Sequence, residues 1–276
     1  MHSSKKTSRR KAITAGIAAL GSMALTATNS LAIPKMRGET RVILLLGDYW
    51  HNGVAQESHW RRVLGNSGMR LMFAQSSRFV TPEALALADL FIVERYAGPD
   101  SLGWSPDGII EDRPSGAPWM TVSQEEAMVA NVKRGMGLIS MHCSIWNPDR
   151  VKYMELLGVK KPIMHGPVQH VKMHDINQGH PISKGLDNFE VSLDENFGAE
   201  LYMDRVTLLY KTTGQQDNRT DYAAWCREEG KGRVVTLLFG HLPQSFMVKE
   251  SKQLMWRSAH WAMNREIPAE DMKSGY

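Results

Sequence analysis

The sequence predicts an α/β fold, a mostly parallel central sheet with helices on both faces. Three observations predict it. Short apolar runs alternate with stretches of helical periodicity from Arg41 onward, the pattern of strands joined by crossover helices. Glycine and proline punctuate the changes of period, as at Gly65, Gly68, Pro82, Gly135 and Gly137. Three of the apolar runs lead to a histidine, at His51, His142 and His241, and an open α/β sheet binds its ligands beyond the carboxyl ends of its strands.

The first 32 residues stand apart from that pattern. Lys5, Lys6 and the pair Arg9-Arg10 behind Ser8 precede a weakly apolar stretch from Ala12 to Ala27, and Ser30-Leu31-Ala32 offers the small residues a signal peptidase reads. The paired arginines favour a twin-arginine signal, with cleavage expected after Ala32. Thr14, Gly16, Gly21 and Ser22 interrupt the apolar stretch and argue against a transmembrane anchor. The expected location is therefore periplasmic or extracellular, in a bacterium. Loss of residues 1–32 removes five of the 33 basic residues and none of the 29 acidic ones, so the basic pI of about 9.0 belongs mostly to the signal. A nucleic-acid partner is not expected, nor is a membrane once the signal is gone. Residues 33–276 contain no repeat or linker and suffice for one α/β domain with a substantial core.

The elements follow in order. Val42 to Leu46 is the first strand, and a helix runs from Gln56 to Leu64 before Gly65 and Gly68 stop it. Met69 to Phe73 is a second strand, Thr81-Pro82-Glu83 caps the next helix with proline at its first position, and Asp89 to Glu94 is a third strand. Residues Arg95 to Met120 lack periodicity and form a long loop. Ser123-Gln124-Glu125-Glu126 reads as a capping box for a helix ending at Arg134, and Leu138 to Met141 is the fourth strand. Further strands are expected near Glu190, at Val206 to Tyr210 and at Tyr222 to Trp225. Gly230-Lys231-Gly232 turns a hairpin into the run Val234 to Phe239, and Gly240 lets His241 leave the sheet. A closing helix, Lys249 to Met263, turns Leu254, Met255, Ala259 and Ala262 inward.

Adjacent strands lie about 4.8 Å apart, so side chains at neighbouring strand ends can meet on one small molecule or ion. His51, His142 and His241 either do so or are three unrelated histidines. His165, before Gly166-Pro167, reaches toward the cleft from a loop, whereas His180-Pro181 suits a turn, and His170 and His174 match no helix-borne zinc spacing. Asp194-Glu195 adds a carboxylate pair, with solvated acids as the competing reading. Imidazole and carboxylate are donors that zinc and similar divalent ions take. His51, His142, His165, Glu195 and His241 are thus the candidate ligands, and a site without metal, using His142 and His241 as acid and base, stays open. Trp50, Trp104, Trp146 and Trp225 fall near the strand ends or loops; core packing is their usual role, and in a sugar site Trp50, Trp146 and Trp225, with Asp194, would hold substrate. Cys143 sits at a turn like a nucleophile elbow, yet the flanking glycines and an acid beside His241 are missing. Cys143 and Cys226 are better read as two separate buried thiols than as a disulfide.

The ordered set of Gly137 to His142, His180-Pro181 with Gly185-Leu186, Asp194-Glu195, Ala224-Trp225, Gly230 to Val234, Gly240-His241 and Trp261-Ala262 resembles the ThuA-like (trehalose utilisation) family over nearly the whole mature chain. The resemblance implies the class I glutamine amidotransferase-like fold, a flavodoxin-like three-layer sandwich, without the amidotransferase triad. It also implies a histidine at the elbow in place of the cysteine, a position His142 matches. The function it implies is processing of a disaccharide or keto-sugar derivative, with a non-catalytic sugar-binding or accessory module as the alternative. The expected partner is a small-molecule carbohydrate, and assembly of identical chains is compatible with the sequence. Asn196-Phe197 after Asp194-Glu195, where a tyrosine is common, and the long loop from Arg95 to Met120 depart from the family pattern.

Overall fold

Every residue of the strand Arg41–Leu46 is buried, as a parallel strand covered on both faces must be. The same holds for Leu90–Glu94 and Gly137–Met141. The computed structural model describes residues 30–98 and 118–268. Of the expected signal, only Ser30–Ala32 lies within the described residues, as a short 3-10 turn. Trp104 and most of the expected loop at 95–120 fall outside them.

Eleven strands are described: β1 (Arg41–Leu46), β2 (Arg70–Ala74), β3 (Leu90–Glu94), β4 (Gly137–Met141), β5 (Val159–Ile163), β6 (Val168–His174), β7 (Phe189–Glu195), β8 (Gly198–Leu201), β9 (Thr207–Gly214), β10 (Thr220–Glu229) and β11 (Gly232–Leu237). The helices are α1 (Gly53–Leu64), α2 (Pro82–Ala86), α3 (Val122–Arg134), α4 (Val151–Leu157), α5 (Pro243–Met247) and α6 (Lys249–Ala262). Helices α1, α5 and α6 contact one another, and α3 contacts both α2 and α4, giving two helical layers around the sheet.

The main sheet has nine strands in the order β2-β1-β3-β4-β11-β10-β9-β6-β7. Strands β2, β1, β3, β4 and β11 are mutually parallel. From β11 outward every pairing is antiparallel, so the expected mostly parallel flavodoxin-like sheet holds for one half only. The reason is connection length. A parallel pair needs a crossover of about a dozen residues or more, whereas β9, β10 and β11 follow one another through tight turns. Strands β5 and β8 form a separate antiparallel pair.

Local starts also differ from expectation. Asn52 caps α1 through its side chain, accepting from the Val54 and Ala55 amides at 3.0 and 3.1 Å, so that helix begins at Gly53 and not Gln56. The capping box of α3 is Thr121 with Gln124, two residues before the expected Ser123. Arg41, wholly buried, donates to the Ile33 carbonyl at 2.6 Å and to Glu39 at 2.7 Å, which anchors the chain just beyond the expected cleavage point. Leu31 is buried too.

Candidate metal centre at the strand ends

His142 follows β4 with φ of 50°, a left-handed conformation that costs a non-glycine residue about 1–3 kcal/mol. It thrusts the ring into the crevice. Nδ1 donates to the Leu238 carbonyl at 3.2 Å, which leaves Nε2 with its lone pair facing outward from the sheet end. His51 follows β1 after a turn made by Gly47 and Asp48. Its Nδ1 donates to Asp48 at 2.7 Å, again leaving Nε2 free. Asp48 is itself fixed by the amides of Trp50 at 2.7 Å and Tyr96 at 2.6 Å.

His241 reaches the same point from the end of β11. Gly240 has φ of 130°, which favours glycine, and a Cβ there would crowd the Phe246 ring at 3.1 Å. Asp194 accepts the amides of Gly240 at 3.0 Å and of His241 at 2.9 Å. That contact is possible because the antiparallel half of the sheet curls until the end of β7 meets the end of β11.

Glu195, next in the chain, closes the group. One ligand atom each from His51, His142, Glu195 and His241 lie within 4.8 Å of one another. The rings of His51 and His142 are 5.0 Å apart, and those of His51 and His241 5.2 Å. His51 Nε2, His142 Nε2 and His241 Nδ1 are buried and make no well-formed hydrogen bond, although Glu195 Oε2 lies 3.4 Å from His142 Nε2 and 3.2 Å from His241 Nδ1. Burial opposes ionisation of Glu195, but His142, His241 and His165 together hold its carboxyl below the usual range. Burial likewise opposes charge on His142, and Glu195 and Asp194 outweigh it and raise its pKa. His241 moves the other way, because burial and the neighbouring His142 and His51 overcome the pull of Glu195.

The remaining sequence candidates divide. His165 touches Glu195, Nδ1 to Oε1 at 3.3 Å, but is not among the converging donors. Trp50 is 66 % exposed at the rim, edge-on to Tyr49 with ring centroids 4.7 Å apart. Trp146 is half-buried just past the His142 turn. Trp225 is a correction: it is wholly buried and its Nε1–H donates to the Leu157 carbonyl at 2.8 Å, so it packs the core and holds no substrate. Asp194 is another, since its oxygens are turned to backbone amides. His170 pairs with Glu190 at 3.1 Å, and His174 and His180 bond Thr213 and Cys226, all on the antiparallel half outside the group.

Cys143 and Cys226 are separate free thiols. Cys143 Sγ lies 3.6 Å from His51 Nδ1, but that nitrogen is committed to Asp48. Burial, with Asp48, Glu94 and Glu195 nearby, pushes the thiol well above its ordinary pKa, the opposite of an activated nucleophile.

Two buried acids beside the group escaped the sequence reading, Asp48 and Glu94. Glu94 ends β3, the strand between β1 and β4, and is wholly buried. Trp60 Nε1–H donates to its Oε2 at 2.8 Å, while Oε1 has no partner. Burial raises its pKa to about 8. The available signal was an acid closing an otherwise apolar strand, Leu90-Phe91-Ile92-Val93-Glu94.

The fold is shared with solved structures. A ThuA-like protein from Parabacteroides merdae matches with a TM-score of 0.63 at 14 % identity, over 86 % of this chain and 96 % of that one. A ThuA-like protein from Bacteroides uniformis matches with a TM-score of 0.60 at 15 % identity, over 83 % and 94 %. A cytoplasmic protein from Salmonella typhimurium LT2 matches with a TM-score of 0.54 at 13 % identity, over 81 % and 99 %. No curated protein is a significant match to the sequence. The model of the ThuA family, described as trehalose utilisation, matches residues 102–262, a span that holds His142, His165, Glu195 and His241. The chain belongs to the ThuA family.

Proposed function

We propose that this protein is a metal-assisted enzyme of carbohydrate processing, acting on a disaccharide or keto-sugar derivative. One observation carries the metal: three buried ring nitrogens, on His51, His142 and His241, none of them in a well-formed hydrogen bond, meet at the Glu195 carboxylate. A buried polar atom left unsatisfied costs about 1–3 kcal/mol, and coordination of an ion would remove that cost for all three. Imidazoles with one carboxylate suit zinc. Such an ion, when bound, polarises a carbonyl or activates water.

The chain's own residues do the rest. Asp48 and the Leu238 carbonyl set the tautomers of His51 and His142, the outer support that metal-binding imidazoles require. Asp194 aims His241 through its backbone. Exposed Trp50 and Tyr49 offer aromatic faces to a sugar ring at the rim. The carbohydrate class is supported by the family's link to trehalose utilisation. A non-catalytic sugar-binding module would use the same rim but gives the three orphaned nitrogens no task.

Elemental analysis tests this reading. The purified protein should hold close to one equivalent of a divalent ion, and His142→Ala and His241→Ala should each lose it while the circular dichroism spectrum is kept. Retention of the ion by both variants would overturn it. The Arg9-Arg10 pair supports a further part of the proposal, export in folded form, and replacing both by lysine should leave precursor in the cytoplasm.

A further inference from the structure

Helix α1, the end of α5 and the first turn of α6 line a groove of about 690 Å³, within the size range of small-molecule sites. Its charged residues are three cations, Arg61, Arg62 and Lys252, against one carboxylate, Glu57. Arg61 is committed to that carboxylate, 2.8 Å away, and its guanidinium lies over the Phe73 ring at 4.2 Å from the centroid. The positive charges of Arg62 and Lys252 are left over.

Neither has an acidic partner. Among the described residues the Arg62 guanidinium meets only the Met247 sulfur, at 3.8 Å, and a thioether is a weak acceptor. No carboxylate of the described residues comes within ion-pair distance of Lys252, which is half-buried, so its ammonium loses hydration without gaining a counter-charge. The field of the two cations reaches the ring of His59: burial lowers its pKa to about 4, and the charges on Arg62 and Lys252 push the same way. Beside the cations the groove is apolar, with Val54 and Met247 both exposed.

We infer that this groove is a binding site for a small organic phosphate, its dianion held by Arg62 and Lys252 and its apolar body laid on Val54 and Met247. Two uncompensated cations match one phosphate group, which carries a charge of about −2 near neutral pH, and hydrogen bonds between ionised partners are the strong ones. A polyanion needs a row of unpaired cations, and the groove has one pair. An apolar body accounts for Val54 and Met247, which otherwise face water. None of the residues of the proposed metal centre lines the groove, so the inference stands apart from that reading.

The test is calorimetric titration of the purified protein at low salt, where charge pairing is least screened, with phenyl phosphate, which joins a dianion to an apolar ring. Inorganic phosphate and phenol carry the two halves separately. Phenyl phosphate should saturate at one equivalent and bind more tightly than inorganic phosphate, and phenol should not bind. Arg62→Gln and Lys252→Gln should each weaken phenyl phosphate by about 10- to 100-fold, the worth of one hydrogen bond to a charged group, while the circular dichroism spectrum is kept. His142→Ala should bind it as wild type does, which separates the groove from the metal centre. If Lys252→Gln fails to fold, Arg62→Gln, which alters an exposed side chain, decides alone. No saturable binding, unchanged affinity in the folded groove variants, or loss of binding in His142→Ala would each overturn the inference. Inorganic phosphate binding as tightly as phenyl phosphate would remove the organic body, and a short DNA strand that displaces phenyl phosphate and needs the same two cations would make the groove part of a polyanion surface; either result overturns the ligand class.

Discussion

Asp194 accepts the backbone N–H of His241 at 2.9 Å. The bond joins the last strand of the antiparallel half to the last of the parallel half, and it directs an imidazole without touching the ring. Because Asp194 also takes the amides of Gly240 and Glu195, one buried carboxylate sets two members of the proposed centre.

Replacing Asp194 with asparagine puts an NH2 group against at least one of those amides. Loss of about 1–3 kcal/mol of stability is expected, with metal affinity lower by about 10- to 100-fold, the usual effect of removing outer support. Denaturant unfolding and metal titration measure the two. A stability loss with unchanged affinity would show that Asp194 does not aim His241.

Glu94 should make stability fall as pH rises. Its folded pKa of about 8 lies above the ordinary carboxyl value of 4.5, so the folded state holds the proton more tightly than the unfolded one. The associated stability is fully present below pH 4.5 and is lost as pH rises through 8, at about 1.4 kcal/mol per pH unit in between. Chelator-treated wild type and Glu94→Gln, unfolded at pH 5 to 8, should differ by that slope. Parallel profiles would contradict it.

Two tryptophans should separate cleanly. Trp50→Ala removes an exposed side chain, so stability should change by no more than about 0.5 kcal/mol while sugar affinity drops. Trp225→Ala empties a core position and should cost about 3–5 kcal/mol. Thermal melts and calorimetric titration with trehalose would check the pair, and unchanged sugar binding in Trp50→Ala would remove it from the site.

Cys143→Ala should keep metal and sugar binding, losing about 1–2 kcal/mol from a small core truncation. Complete inactivation with metal and fold intact would return the thiol to the chemistry.

Strands β1, β3 and β4 were legible because burial on both faces writes itself as a continuous apolar run. Strand β6 was not, since its inward positions include Gln169 and its outward ones Val168, which blurs the alternation. The histidines after β1, β4 and β11 could be read from strand ends and glycines alone. Which acid of Asp194-Glu195 faces the crevice could not, because it depends on the curl that brings β7 to β11. Asp48 and Glu94 were hidden for a similar reason: the burial of an acid is a property of the whole fold. Trp225 was misplaced because its strand neighbours gave no hint that Leu157 would supply a carbonyl to its indole.

The four converging donors stand at positions 51, 142, 195 and 241, so no fragment short of β11 contains the group. A growing chain cannot assemble it until His241 has been made, and a misregistered β11 would leave it incomplete. Ion uptake would thus double as a proofreading signal, marking molecules whose two half-sheets have docked correctly.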